Sequence, residues 1–170
     1  ESLRALGVEV NDDGRGTLPF SLYGTGEVAG GDLEIDASAS SQFVSGLLLA
    51  APRFARGLRL RHTGERLPSM PHIEMTIACL AQRGVAVHSP EPGVWEVPPA
   101  EIDGRDIDIE PDLSNAAPFL VAALVAGGSV TISGWPETTT QVGADLEDLL
   151  PQFGAKVDRV GGALTVTGGA

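Results

Sequence analysis

A chain of 170 residues has about one domain's length, and with 42% apolar residues it can bury a sizeable core. Eleven Lys and Arg against 23 Asp and Glu leave a net charge of −12, which excludes the basic surface that broad contact with nucleic acid requires. The single cysteine, Cys79, excludes an internal disulfide framework and a thiolate metal cluster; the longest apolar run, residues 116–126, has about half the length of a membrane-spanning helix.

The chain opens with Leu3-Arg4-Ala5-Leu6-Gly7-Val8-Glu9-Val10, which reads as the last turns of a helix, a glycine stop and the start of a strand. No N-cap precedes it, so the sequence is expected to be a portion of a longer protein. Gly24-Thr25-Gly26-Glu27-Val28-Ala29 has the spacing of a dinucleotide fingerprint. Such a loop must lead into a helix N-terminus that receives the pyrophosphate. Here Gly30-Gly31 and the strand-like Asp32-Leu33-Glu34-Ile35 follow instead, and the expectation is a glycine-rich hairpin turn.

Ser38-Ala39-Ser40-Ser41-Gln42 lies between that strand, which ends near Asp36, and an apolar helix that begins near Phe43. Free amides and the positive end of the helix dipole converge at such a point, and hydroxyls add donors, so a phosphate would be well held. Gln42 adds an amide that both donates and accepts. Ordinary N-capping by serine produces the same pattern, so both readings stand. After a strand at residues 58–61, Ser69-Met70-Pro71-His72 marks the equivalent junction before a helix over residues 73–83. Ser69 can cap that helix or donate to a phosphate, and Pro71 suits its first turn. Both junctions are expected to point toward the same end of the helix layer. His62, His72 and His88 lack metal-ligand spacing, and Cys79 reads as a small apolar helix residue.

The second half repeats the first. Asp106-Ile107-Asp108-Ile109-Glu110 alternates with period two, as a strand with one solvated acidic face does. Asp112-Leu113-Ser114-Asn115 opens a helix that is apolar on all sides and is expected to be buried all round. Gly64 and Gly134 lie 70 residues apart, as do Gly84 and Gly154. Each unit reads helix, strand, helix, strand, strand, an α/β alternation.

Four segments together carry a resemblance: Asp36-Ala37-Ser38-Ala39-Ser40-Ser41-Gln42-Phe43, Leu67-Pro68-Ser69-Met70-Pro71-His72-Ile73, Ile109-Glu110-Pro111-Asp112-Leu113-Ser114-Asn115-Ala116 and Gly128-Ser129-Val130-Thr131-Ile132-Ser133-Gly134-Trp135. In order and spacing they resemble the 5-enolpyruvylshikimate-3-phosphate synthase family over essentially the whole chain. The resemblance implies an α/β (α+β) fold of repeated βαβαββ units, an inside-out barrel with helices inside and sheets outside. Residues 1–109 would be the later part of one domain, entered mid-helix, and residues 110–170 the first unit of the other after a hinge crossover.

The family transfers the enolpyruvyl group of phosphoenolpyruvate to the 5-hydroxyl of shikimate 3-phosphate, with release of phosphate. The resemblance implies that Ser40, Ser41 and Ser69 hold shikimate 3-phosphate and that Gln42 reaches both it and phosphoenolpyruvate. His72 stands where many members have tyrosine near the ring. The family's phosphoenolpyruvate-binding Lys and Arg and its acidic proton-transfer pair have no match here. The implied chain is therefore half a substrate site with no catalytic residues, inactive alone, and without metal or cofactor. The implied full-length protein is a cytoplasmic monomer acting on small molecules, with neither nucleic acid nor membrane as partner. Two alternatives stand beside this reading: a non-catalytic repeat module that binds a phosphorylated small molecule, and another enolpyruvyl transferase such as the UDP-N-acetylglucosamine enzyme.

Overall fold

The computed structural model describes residues 1–169. They fall into two compact units, Glu1–Arg105 and Asp106–Ala170. Each has its own sheet and apolar core.

In the first unit a short helix α1 (Ser2–Ala5) leads into β1 (Glu9–Asn11), which pairs antiparallel with β2 (Ser21–Tyr23). The main sheet has the order β3 (Gly31–Ile35), β4 (Leu58–His62), β5 (Val94–Val97). β3 and β4 run parallel, joined through helix α2 (Gln42–Ala50), and helix α3 (Met70–Ala81) follows β4. β5 then pairs antiparallel with β4. Period-two alternation in Leu58-Arg59-Leu60-Arg61 sends Leu58 and Leu60 into the core and both arginines outward. There Arg59 meets Glu96 at 3.0 Å and Arg61 meets Glu91 at 2.6 Å. The core closes over Leu60 and Trp95 with Val44 and Leu48 from α2 and Ile73 and Leu80 from α3.

In the second unit α4 (Leu113–Ala126) leads into a sheet of order β6 (Ser129–Ser133), β8 (Ala163–Thr167), β7 (Lys156–Val160), antiparallel throughout. Asp112 caps α4, its carboxylate accepting from Asn115 N–H at 3.0 Å. A short helix α5 (Leu146–Leu149) sits between two 3₁₀ turns. Pro151 explains the break, because its ring clashes with an α-helical carbonyl four residues back.

The repeat is real and its glycines are its punctuation. Gly84 and Gly154 adopt φ of 77° and 90°, the left-handed conformation that ends helices. Each is followed by a residue whose N–H reaches back five positions, Val85 to Leu80 at 3.0 Å and Ala155 to Leu150 at 3.3 Å. Gly7, with Val8 bonded to Leu3 at 2.9 Å, ends α1 in the same way.

Four expectations need correction. The glycine-rich segment at residues 24–29 is not a hairpin turn, because β2 and β3 belong to different sheets. Its end is instead docked against the approach to β4, where Ala55 donates to Val28 O and Arg56 to Ala29 O. Residues 106–110 form no strand, since among the described residues no neighbour offers them a ladder. The first of the two strands expected to close the first unit, after Gly84, shrinks to a single bridge between His88 and Glu96, the counterpart of the Asp158–Thr165 pair in the second unit. Helix α4 buries only the stripe Leu113, Ala116, Leu120 and Ala123, while Phe119 and Val125 on its other faces are 63% and 80% exposed. Composition sets how much of a helix can be buried; the neighbours present set how much is.

Gly154→Ala isolates the conformational demand, since a Cβ there would meet nothing within 4 Å. The substitution is expected to destabilise the second unit by about 1–2 kcal/mol, the left-handed penalty of an L-residue, read by urea denaturation. An unchanged midpoint would mean that the turn is not a glycine-dependent cap.

Candidate functional site: two helix starts at one sheet end

Because β3 and β4 are parallel, the chain leaves both strands at the same edge and enters a helix each time. At the first exit the ladder runs on by one bond, Thr63 N–H to Ile35 O at 2.9 Å. The chain then turns sharply. Asp36 accepts from Ser38 N–H at 2.9 Å, and Ser40 N–H donates to Ala37 O at 3.1 Å. Ala37 is fully buried, and its N–H donates to His62 Nδ1 at 3.1 Å.

The two serines that follow do different things. Ser40 Oγ accepts from Gln42 N–H at 3.2 Å, which satisfies one helix amide and leaves the hydroxyl proton available to donate. Ser41 is the N-cap residue but has helical backbone angles and makes no side-chain capping bond. It is 3% exposed, the one buried polar residue among those described. Gln42, the first residue of α2, is exposed.

At the second exit Ser69 is the N-cap of α3, again without a side-chain capping bond. Its backbone is left-handed, with φ 53° and ψ 51°. Only one other described non-glycine residue, Asp13, has positive φ. That conformation costs an L-residue about 1–2 kcal/mol. Pro71 fits the first turn, where its missing N–H is not needed, and His72 is exposed. Behind these starts the helices are tied together, Thr76 Oγ1 on α3 lying 3.0 Å from Ser45 Oγ on α2.

The structure therefore brings Ser40, Ser41 and Gln42 to one helix start and Ser69 and His72 to the start of its packed neighbour. A cleft at the same sheet end is lined by Asp36, Ser38, Thr63, Gly64, Glu65 and Arg66. Its floor is tight at Gly64, where any Cβ would strike Ser38 Oγ, Asp36 Oδ1 and the His62 ring. Sequence reasoning weighed His62 only as a metal ligand and missed this packing. The available signal was its position at the end of β4, paired with the residue that precedes the serine turn. Among the described residues no cluster of three or more His, Cys, Asp or Glu side chains converges as a metal site would.

A second polar cluster that sequence reasoning missed lies in the other unit. Gln141 accepts from Leu113 N–H at 2.9 Å and donates to Glu110 at 2.8 Å and to Pro111 O at 2.9 Å. Thr139 also donates to Glu110, at 2.6 Å. One side chain thus pins the approach to α4. Its separation of 28 residues from Leu113 hides it from any local motif.

The Ser38 hydroxyl and N–H, opposed by desolvation, hold the Asp36 carboxyl below its ordinary value. A group with a depressed native pKa stabilises fully above its unfolded value and loses that contribution as pH falls through the native one. The Ser38 amide resonance is expected to titrate below about pH 3.9, the reference carboxylate value, and the transition should vanish in Asp36→Ala. A midpoint at or above that value would show that the turn does not hold the carboxylate.

The model of the family described as EPSP synthase (3-phosphoshikimate 1-carboxyvinyltransferase) matches residues 1–170. A 3-phosphoshikimate 1-carboxyvinyltransferase of Tropheryma whipplei is 50% identical over 167 residues, 98% of this chain and 37% of that protein. One from Kocuria rhizophila is 52% identical over 169 residues, 99% of this chain and 38% of that protein. The solved EPSP synthase from Acinetobacter baumannii superimposes with a TM-score of 0.67 at 25% identity, covering 99% of this chain and 39% of that one. The chain thus spans under two fifths of the length of these relatives. Matched from end to end by the family's model, the chain belongs to the EPSP synthase family.

Proposed function

We propose that this chain supplies the shikimate 3-phosphate half of the substrate site of an EPSP synthase, the enzyme that transfers the enolpyruvyl group of phosphoenolpyruvate to the 5-hydroxyl of shikimate 3-phosphate and releases phosphate. The observation that carries the reading is the pair of serine-bearing helix starts on the adjacent parallel strands β3 and β4. Both helices have the positive end of their dipole at these starts, and the hydroxyls of Ser40 and Ser69 add a donor at each, so one anion would be attracted by both. Ser40 and Ser69 face the phosphate, Ser41 completes the set, and Gln42 reaches from the ring toward phosphoenolpyruvate. His72 places a flat polar group beside the ring.

The strain at Ser69 supports the assignment. A left-handed serine at a helix start is costly where glycine would be relaxed, and such outliers cluster at ligand clamps. The exposed apolar face of α4 fits a helix that further repeats of an inside-out barrel cover. In this reading residues 1–109 and 110–170 belong to two domains that meet at a hinge. The protein works as a cytoplasmic monomer on small molecules, needing neither metal nor organic cofactor, with no nucleic acid or membrane as partner.

Two measurements test the proposal on the protein as its gene encodes it. Phosphate should be released from phosphoenolpyruvate only when shikimate 3-phosphate is present; no release would overturn the assignment. Ser69→Gly separates the serine's two roles. Stability should hold or rise by up to about 1 kcal/mol as strain is relieved, while shikimate 3-phosphate binds about tenfold or more weakly for want of a charge-assisted hydrogen bond. Unchanged affinity in that variant would remove Ser69 from the site.

A further inference from the structure

We infer that His62 is a positioning residue that sets the serine turn through its Nδ1 atom, a role that rests for its ligand half on the function proposed above. Ala37 is fully buried, and a buried N–H must find an acceptor. Local backbone supplies none; the acceptor is an imidazole nitrogen 25 residues away, 3.1 Å distant. From Ala37 the restraint passes along the turn. Ala37 O holds Ser40 N–H at 3.1 Å, and Ser40 Oγ holds Gln42 N–H at 3.2 Å. Three successive hydrogen bonds therefore connect the His62 ring to the residues assigned to the phosphate.

The ring itself is held from behind. His62 N–H donates to Gly93 O at 2.8 Å, and β4 pairs His62 with Ile35, the last residue of β3. Gly64 lets the strand exit close over the turn, since a Cβ there would collide with Ser38, Asp36 and the ring together. Acceptance at Nδ1 fixes the tautomer: the ring is neutral with its proton on Nε2. Nε2 is buried and finds no partner among the described residues. An orphaned donor is costly, so the histidine's contribution here lies at Nδ1 and not at the other nitrogen. Its geometry matches a post for the turn and not a metal ligand or an acid–base group.

The test uses the protein as its gene encodes it. In the unsubstituted protein, nitrogen-15 spectra should show His62 as the neutral Nε2–H tautomer, with Ala37 N–H protected from exchange without any ligand. A ring protonated on Nδ1, or a freely exchanging Ala37 amide, would overturn the inference with no variant needed. His62→Leu removes the acceptor, whereas His62→Asn keeps an oxygen near the place of Nδ1. His62→Leu should lose protection at Ala37 and Ser40 and bind shikimate 3-phosphate about tenfold more weakly, the scale of one buried amide left without its acceptor. His62→Asn should restore both. A folded His62→Leu protein with native protection and affinity would overturn the inference, as would His62→Asn behaving like His62→Leu. If the unsubstituted protein binds no shikimate 3-phosphate, the proposed function fails, and the inference with it loses its ligand half; the Ala37 and tautomer readings still decide whether the post exists.

Discussion

The parallel pairing of β3 with β4, from Gly31 opposite Leu58 to Ile35 opposite His62, is the constraint on which the rest of the first unit depends. Parallel strands cannot be joined by a hairpin, so the chain must cross over, and it does so through α2. The same direction forces both exits to one edge of the sheet. Each exit then becomes a helix start, at Ser41 for α2 and Ser69 for α3. An antiparallel register would have sent one of these starts to the opposite edge and left a single, ordinary cap.

What distinguishes these starts from routine caps is how little the side chains satisfy. Ser41 and Ser69 occupy the cap positions of α2 and α3 and cap neither. Ser40 accepts one amide but keeps its proton. Rigidity comes from elsewhere: Asp36 clasping Ser38, His62 holding Ala37, and Thr76 meeting Ser45 between the helices. The first amides of α2 are already spent, Gln42 N–H on Ser40 Oγ, Phe43 N–H on Ser40 O and Val44 N–H on Ser41 O, so the proposed anion site rests on the serine hydroxyls and the helix dipoles. The net charge of −12 is no obstacle to that proposal, because such an attraction would be local, from hydroxyls and helix dipoles.

Much of this was legible in the sequence wherever the signal was local. The 70-residue spacing of Gly84 and Gly154 follows from a backbone conformation that glycine adopts without penalty, so the repeat could be read from the letters alone. The serine junctions were legible because strand, hydroxyl cluster and apolar helix follow one another directly. Features made by distant partners were not. His62 and Ala37 are 25 residues apart, and Gln141 and Leu113 are 28 apart; nothing in either neighbourhood marks the bond. The failed expectations share a cause. A period-two pattern at residues 106–110 and an all-apolar α4 state what a segment could bury, but burial and pairing are completed by neighbours.

The central claim is that the two helix starts receive one phosphate. It is tested most directly by following backbone amide resonances as shikimate 3-phosphate is added, with UDP-N-acetylglucosamine as the control. The account predicts selective, saturable shifts at Ser40, Ser41, Gln42 and Ser69 with the first ligand and none with the second. Shifts confined to one of the two starts, or absent from both while the protein remains folded, would contradict it and leave the serines as residues of ordinary turns.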